Sequence, residues 1–268
     1  MHPIEHLRYV ARAHGADPVE VALGAADALM GVARDTGATL VSARRLVEHH
    51  PSNAPLWSVC ATAVTSMDAY RAVDDLARAI SNDSVAGHLA DALDDVETVV
   101  VVGWSGHVVD ALVRRGHVHV LVVDSLGDGR DALRHLSRRD VSCELVAAEG
   151  MAAAAESADV TLLAAMAMGN DSSLCAGGSL SVAAVAYCAE KPVWVVCSEG
   201  TRLPEALYGA MIGGLRDRPD PWASGVDVVP HALVGTAFTS QGRFDVPGAL
   251  AQLSVCPPAE ELLRRSVV

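Results

Sequence analysis

From Thr98 onward the chain repeats one rhythm: a short run of β-branched residues, a stretch of helical character, then another run. The runs are Val99–Val102, Val118–Val123, Val141–Val146, Val160–Leu163, Val193–Cys197 and Val226–Val229. Helical segments at Val108–Arg115, Arg130–Arg138, Gly150–Ser157 and Ser179–Glu190 separate most of them. Short valine-rich runs read as strands buried on both faces, and strands alternating with helices build a doubly wound, mainly parallel sheet. In such a Rossmann-like α/β fold, ligands lie at the carboxyl ends of the strands, where helix N-termini present unpaired N–H groups. The rhythm therefore predicts both the fold class and the edge on which chemistry belongs.

The first 95 residues lack strand signals. Pro3–Ala13 reads as a short mixed helix. Asp17-Pro18 sets an N-cap before a proline at the first helical position, and Val19–Arg34 continues with apolar residues at helical spacing. Thr39–His50 forms the next helix, stopped by Pro51. Asn53-Ala54-Pro55 opens another, running through Trp57, Val59 and Val64, with the next break at Ser81–Asp83 and a last helix over Ser84–Leu93. This predicts an N-terminal helical domain over residues 1–95 and a ligand-binding α/β domain over 96–268. Leu215–Ala223 reads as a loop-like insertion, and Pro257–Val268 as a short terminal helix or a frayed end.

With half of the 268 residues hydrophobic but only 4% aromatic, the core has to be built from Ala, Val and Leu. A formal charge of −13 leaves no surplus of cations to neutralise phosphodiesters, which argues against nucleic acid as a partner. Lys191 is the sole lysine, so anions must be met by arginines and backbone N–H groups. No apolar run approaches the roughly 18 residues of a membrane span, and Met1–Ala16 lacks the apolar core of a secretory signal, so the expectation is a cytoplasmic protein with no membrane partner. The six cysteines include no CxxC pair; most sit in apolar surroundings, so free thiols rather than a disulfide framework are expected. His117 and His119 alternate along a strand without a third ligand at metal spacing, so neither a metal nor a cofactor is expected.

The densest cluster of candidate groups lies in Asp159–Gly200. Here Val160–Ala164 reads as a strand, Gly169–Gly178 as a loop of small and polar residues, Ser179–Glu190 as a buried helix and Pro192–Cys197 as a second strand. Gly177, Gly178 and Ser179 would let the backbone approach an anion at the helix start, or serve simply as its cap. The first strand ends in Gly103-Trp104-Ser105-Gly106, a GxxG turn without the full dinucleotide fingerprint. The second strand ends at Asp124, which can bind a ribose hydroxyl or cap the next helix, and Arg130 follows as a candidate phosphate partner. Glu199 follows the strand after the key helix, as a candidate base or a helix cap. Thr239-Ser240-Gln241-Gly242 closes the sheet region.

In their order, these stretches resemble the superfamily of the translation initiation factor 2B alpha, beta and delta subunits, together with the methylthioribose-1-phosphate and ribose-1,5-bisphosphate isomerases. The resemblance rests on DS…GR after the second strand, NDSS…GGS before the key helix, KPVWVV, and VVPHALVGTAFTSQG; it covers most of 98–245. His50-Pro51-Ser52-Asn53-Ala54 resembles the family's R-P-T-A step in the helical domain. The resemblance implies a helical domain followed by a Rossmann-like one, a homodimer formed through the latter, and a small phosphorylated sugar or nucleotide at the carboxyl edge. His50, Gly103, Gly106, Asp124, Arg130, Asn170, Ser172 and Gly177–Ser179 would bind that ligand. It also implies aldose–ketose isomerisation by a cysteine and an aspartate, and here the chain departs from the pattern. Ser105 stands near the cysteine's place, Ser172 in the aspartate's with Asp171 one residue earlier, and Cys175-Ala176 replaces an Asn-Lys pair. Asp171, Glu199 and Ser105 remain as candidate acid–base groups, and Cys175 as a candidate thiol. The alternative is a non-catalytic regulatory or interaction protein like the regulatory subunits.

Overall fold

The computed structural model describes residues 17–216 and 220–264; the expected helix over Pro3–Ala13 and the last four residues lie outside them. Four helices come first: α1 (Pro18–Met30), α2 (Thr36–His49), α3 (Ala54–Thr65) and α4 (Ala69–Ser81). Each starts on a side-chain cap, from Asp17, Asp35, Asn53 and Asp68 respectively, which satisfies N–H groups that have no helical partner. Asp68 corrects the sequence reading. The pattern shows no break between Pro55 and Ser81, yet the chain turns at Ser66 and restarts where Asp68 accepts from the Arg71 N–H at 3.1 Å.

Helix α3 joins the two halves of the molecule. Residues Ala54–Ala63 are all buried, because one side packs on α1, α2 and α4 while the other meets the α/β part. There the Ser58 hydroxyl donates to the Gly200 carbonyl at 2.7 Å. Gly200, at φ +80°, comes close enough to Pro55 that an added Cβ would lie 3.2 Å from its Cα.

A seven-stranded sheet follows, made of β1 (Thr98–Val102), β2 (His119–Val123), β3 (Cys143–Val146), β4 (Val160–Ala164), β7 (Val193–Val196), β9 (Thr236–Thr239) and β10 (Gly242–Phe244). Its order is β10-β9-β7-β4-β1-β2-β3, parallel except for the edge strand β10. The strand period of two sorts each run between two cores. Val99, Val101, Val120, Val122 and Leu162 face α5 (Val85–Ala92), α6 (Gly106–Arg115) and α7 (Asp128–Ser137). Val100, Val102, Leu121, Val123 and Leu163 face α8 (Met151–Ser157), α9 (Ser179–Cys188) and α11 (Val246–Gln252). The expected α/β class, with helices first and then a Rossmann-like sheet, is what the chain adopts. Among the described residues, no helix is long and apolar enough to cross a membrane.

Two expectations fail here. Gly169–Gly178 is not a loop throughout: β5 (Ala167–Met168), β6 (Ser172–Ala176) and β8 (Val226–Pro230) form a separate three-stranded antiparallel sheet. The run Val226–Val229, read as part of the main sheet, belongs to this smaller one, and β9 takes its place. Serine, cysteine and leucine in β6 give weak strand propensity; the partner strands rather than the local residues make it a strand. Helix α10 (Glu205–Arg216) and the small sheet share one core with α1–α4 through Leu174, Leu207 and Met211.

Phe238, fully buried on β9 with its ring 5.2 Å from that of Trp194, tests the placement of that strand. Phe238→Ala should cost about 3–5 kcal/mol in urea unfolding; a loss typical of a surface site would put β9 outside the sheet.

Candidate functional site

Strand β1 is followed by α6 on one face of the sheet and β4 leads on to α9 on the other, so the chain direction switches between these adjacent strands. A cleft of about 270 Å³ opens at this switch point, the position at which doubly wound sheets hold ligands. The sheet side contributes Trp104, Ser105, Gly106 and His107, with Ala164–Met166 at the end of β4 and just beyond it, and Ser198 and Thr201 after β7. The helical layer contributes Asp17–Glu20 and Pro55, and Asp110 stands on α6. A wider depression of about 1060 Å³ between the α1–α2 and α3–α4 turns contains none of the sequence candidates.

The cleft is acidic. Asp17, Glu20 and Asp110 line it, and no arginine or lysine does so among the described residues. Gly106 lies close to the start of α1: a Cβ there would sit 2.8 Å from Asp17 Oδ2. That carboxylate thus lies beside the N-terminus of α6, where the helix dipole favours negative charge. Ser105 caps α6 through a long 3.5 Å contact with the Val108 N–H. His107 Nε2 is buried with no hydrogen-bond partner among the described residues, an arrangement that costs about 1–3 kcal/mol.

The anion site expected before α9 is filled from within. Gly178 holds φ +97°, and its N–H and that of Leu180 both donate to Asp227 Oδ2, at 2.8 and 3.0 Å. Gly177 donates to the Gly225 carbonyl at 2.8 Å, and Ser179 is 1% exposed. The expectation of an open cradle is therefore corrected: a carboxylate from β8 takes the place read for a phosphate. Nothing local in the run Val226–Val229 marks Asp227 as a cap, since the contact spans two strands.

The remaining candidates disperse. Asn170 and Asp171 sit exposed on the β5–β6 turn, Asn170 donating to Glu205 at 3.2 Å. Ser172 pairs with the Tyr208 hydroxyl at 2.9 Å. Glu199 accepts from the Ser240 hydroxyl, while its own N–H donates to Asp83 at 2.6 Å. Asp124 accepts from the Gly127 N–H at 3.0 Å and lies 3.4 Å from the exposed Arg130 guanidinium. Gly103 holds φ +67°, and a Cβ added there would lie 3.1 Å from that of Ala176 and 3.6 Å from that of Ser125. His50 ends α2, its carbonyl accepting from the Trp57 indole at 3.1 Å. Of the residues singled out from sequence, Ser105 and Gly106 line the cleft. Cys175 is fully buried, and burial, then Cys197 and Asp227, push its thiol far above the ordinary range. That removes it as a nucleophile at neutral pH.

Sequence reasoning missed one coupled pair. Ser173 Oγ lies 3.0 Å from His231 Nε2, and His231 Nδ1 lies 3.1 Å from the Asn170 carbonyl. A carbonyl only accepts, so Nδ1 carries the proton and Nε2 accepts from the serine. Ser173 is fully buried, so the pair works as a tie between β6 and the end of β8.

The fold and the site's position define a class: a helical layer set against a doubly wound sheet, with a cleft at the switch point. The same architecture occurs in the translation initiation factor eIF-2B of Pyrococcus horikoshii OT3, with a TM-score of 0.75 and 16% identity over 92% of this chain and 98% of that one. The tetrameric eIF2B-beta2-delta2 complex of Chaetomium thermophilum contains a chain matching with a TM-score of 0.70 and 17% identity, covering 93% of each. Subunit delta of eIF-2B from A. fulgidus matches with a TM-score of 0.62, at 15% identity over 93% of this chain and 89% of that one. At these identities the likeness establishes the fold, in agreement with the resemblance drawn from the motifs. No protein-family model and no curated protein matches the sequence.

Two outcomes follow from this geometry. Asp227→Ala should lower stability by about 1–2 kcal/mol through loss of the cap. It should also expose the α9 N–H groups, so that sulfate raises the melting temperature of the variant more than that of the parent. Burial lowers the His231 pKa from 6.5, against the opposing pull of the Asn170 carbonyl and Asp171. The unfolded chain then binds the proton more readily than the folded one, so stability should fall as pH drops through 6.5. His231→Gln should flatten that slope in a series of unfolding curves.

Proposed function

We propose that this chain is a non-catalytic protein of the initiation-factor-2B-like fold, acting in the cytoplasm through association as a homodimer formed by its sheet domain. The observation carrying this reading is the dispersal of the acid–base candidates. Proton transfer between adjacent sugar carbons needs an acid and a base within hydrogen-bond reach of one bound substrate. Ser105 alone of the three lines the cleft, and a serine hydroxyl is a poor acid or base at neutral pH. Asp171 stands in solvent on the β5–β6 turn, and Glu199 is bonded to Ser240. The C. thermophilum tetramer, which unites beta and delta chains, supports association as a mode of action for this fold.

A second reading, binding of a phosphorylated sugar or nucleotide, is favoured by the cleft at the switch point and by the N-terminus of α6 beside it. Its charge weighs against that reading: Asp17, Glu20 and Asp110 would face the phosphate with no described cation to offset them.

Incubation with ribose 1,5-bisphosphate or methylthioribose 1-phosphate, followed by carbon NMR, should leave both sugars unchanged. Turnover abolished by Asp171→Asn would overturn the non-catalytic reading. A thermal-shift series with the same sugars and with nucleoside monophosphates should leave the melting temperature in place; a concentration-dependent rise would establish the second reading.

A further inference from the structure

The outer face of α7 gathers positive charge in a chain that is otherwise acidic. Asp128–Arg139 carries four arginines against two aspartates, while the whole chain has a formal charge of −13. Asp131, Arg134, His135 and the C-cap Arg138 follow at helical spacing, so they share one face, turned away from the buried Ala132 and Leu136. With Trp104 they line a single depression of about 320 Å³. Trp104 reaches it from the β1–α6 turn and meets the His135 ring edge-on, the centroids 5.1 Å apart. The neighbouring acids leave the arginine side of this depression open. Asp131 is ion-paired with Arg134, and Asp124 lies 3.4 Å from Arg130, outside the depression. Burial, then Asp131 and Asp124, push the Asp128 carboxyl above its ordinary range. Asp110 of the adjoining α6 lines the switch-point cleft and not this depression. The side chains of Arg138 and Arg139 make no hydrogen bond or ion pair among the described residues. The helix dipole favours arginines at a C-terminus, but it does not call for an indole beside them. Tryptophan and arginine together are the side chains that most often carry the binding energy of an interface.

We propose that this depression docks an acidic peptide segment of a partner protein. Arg138 takes one carboxylate in its planar fork, a neighbouring carboxylate meets Arg134 and His135, and Trp104 packs on the methylenes between them. The surface is separate from the cleft, and it needs neither the homodimer nor the metabolite-binding reading above. Charge selects the occupant. A Debye length of about 8 Å at physiological ionic strength lets a short segment feel the nearby guanidinium groups while the distant carboxylates of the chain are screened. A nucleic acid would bring a run of phosphates against Asp128 and Asp131, and two unpaired arginines are too few to neutralise it. The volume stands at the lower end of the roughly 300–1,000 Å³ of ligand-sized cavities, which suits a few side chains of an extended segment.

Fluorescence anisotropy of a fluorescein-labelled octaglutamate peptide mixed with the full chain tests it, at a salt concentration of about 0.15 M. The peptide should bind saturably, and an octaglutamine peptide should not. Arg138→Glu and Arg134→Glu should each weaken octaglutamate binding at least tenfold with an unchanged circular-dichroism melt. Raising the salt to about 0.5 M should weaken binding by the parent several-fold. Arg71→Glu, at an exposed position on α4, should bind as the parent does. If a glutamate variant unfolds, Arg138→Gln and His135→Gln give the same test with smaller changes. Absence of saturable octaglutamate binding, or binding that the Arg138 and Arg134 variants leave intact, would overturn the proposal. So would a uridine octanucleotide that binds more tightly than octaglutamate.

Discussion

The burial of β1 on both faces is the constraint from which the rest of the α/β part follows. Four consecutive valines alternate between two cores, Val99 and Val101 toward α5 and α6, Val100 and Val102 toward α8 and α9. A strand buried in this way must be flanked by strands on both edges and by helices on both faces. Parallel pairing to β2 and β4 meets the first requirement and sends the chain outward in opposite directions. The cleft at the β1–β4 boundary is a consequence of that reversal rather than an independent feature.

What the cleft and its surroundings can do is decided by where the carboxylates lie. Asp227 neutralises the start of α9, Asp17 lies beside the start of α6, and Asp124 closes the turn after β2. Positions that would welcome a phosphate in an empty fold are held by the protein's own acids, each of which stabilises a helix or a turn. In an acidic chain with one lysine, this use of carboxylates is a direct way to satisfy helix ends. It also leaves little positive potential for an anionic ligand.

The contrast between what was legible and what was not runs through particular residues. Caps at Asp17 and Asn53, the valine runs and the first two β–α turns could all be read, because each depends on neighbours within a few positions. The same local logic found Ser105 and Gly106. It failed at Ser172–Ala176, where a strand of weak propensity exists through its pairing with β8 and β5. It failed again at Ser66–Asp68, since an aspartate starts a new helix there without glycine or proline to announce the break.

By itself, the sequence determined the alternation of strand and helix, the two-sided burial of the sheet and the absence of a full glycine fingerprint. These follow from residue spacing and chain stereochemistry alone. Tertiary structure decided which groups share a space. Asp227 reaches α9 across a strand pairing, Ser173 meets His231 across 58 positions, and Asp171 and Glu199 end on separate turns although both flank the same helix in sequence. Contacts of that kind depend on how the small antiparallel sheet seats on the large one, and no local pattern encodes that placement.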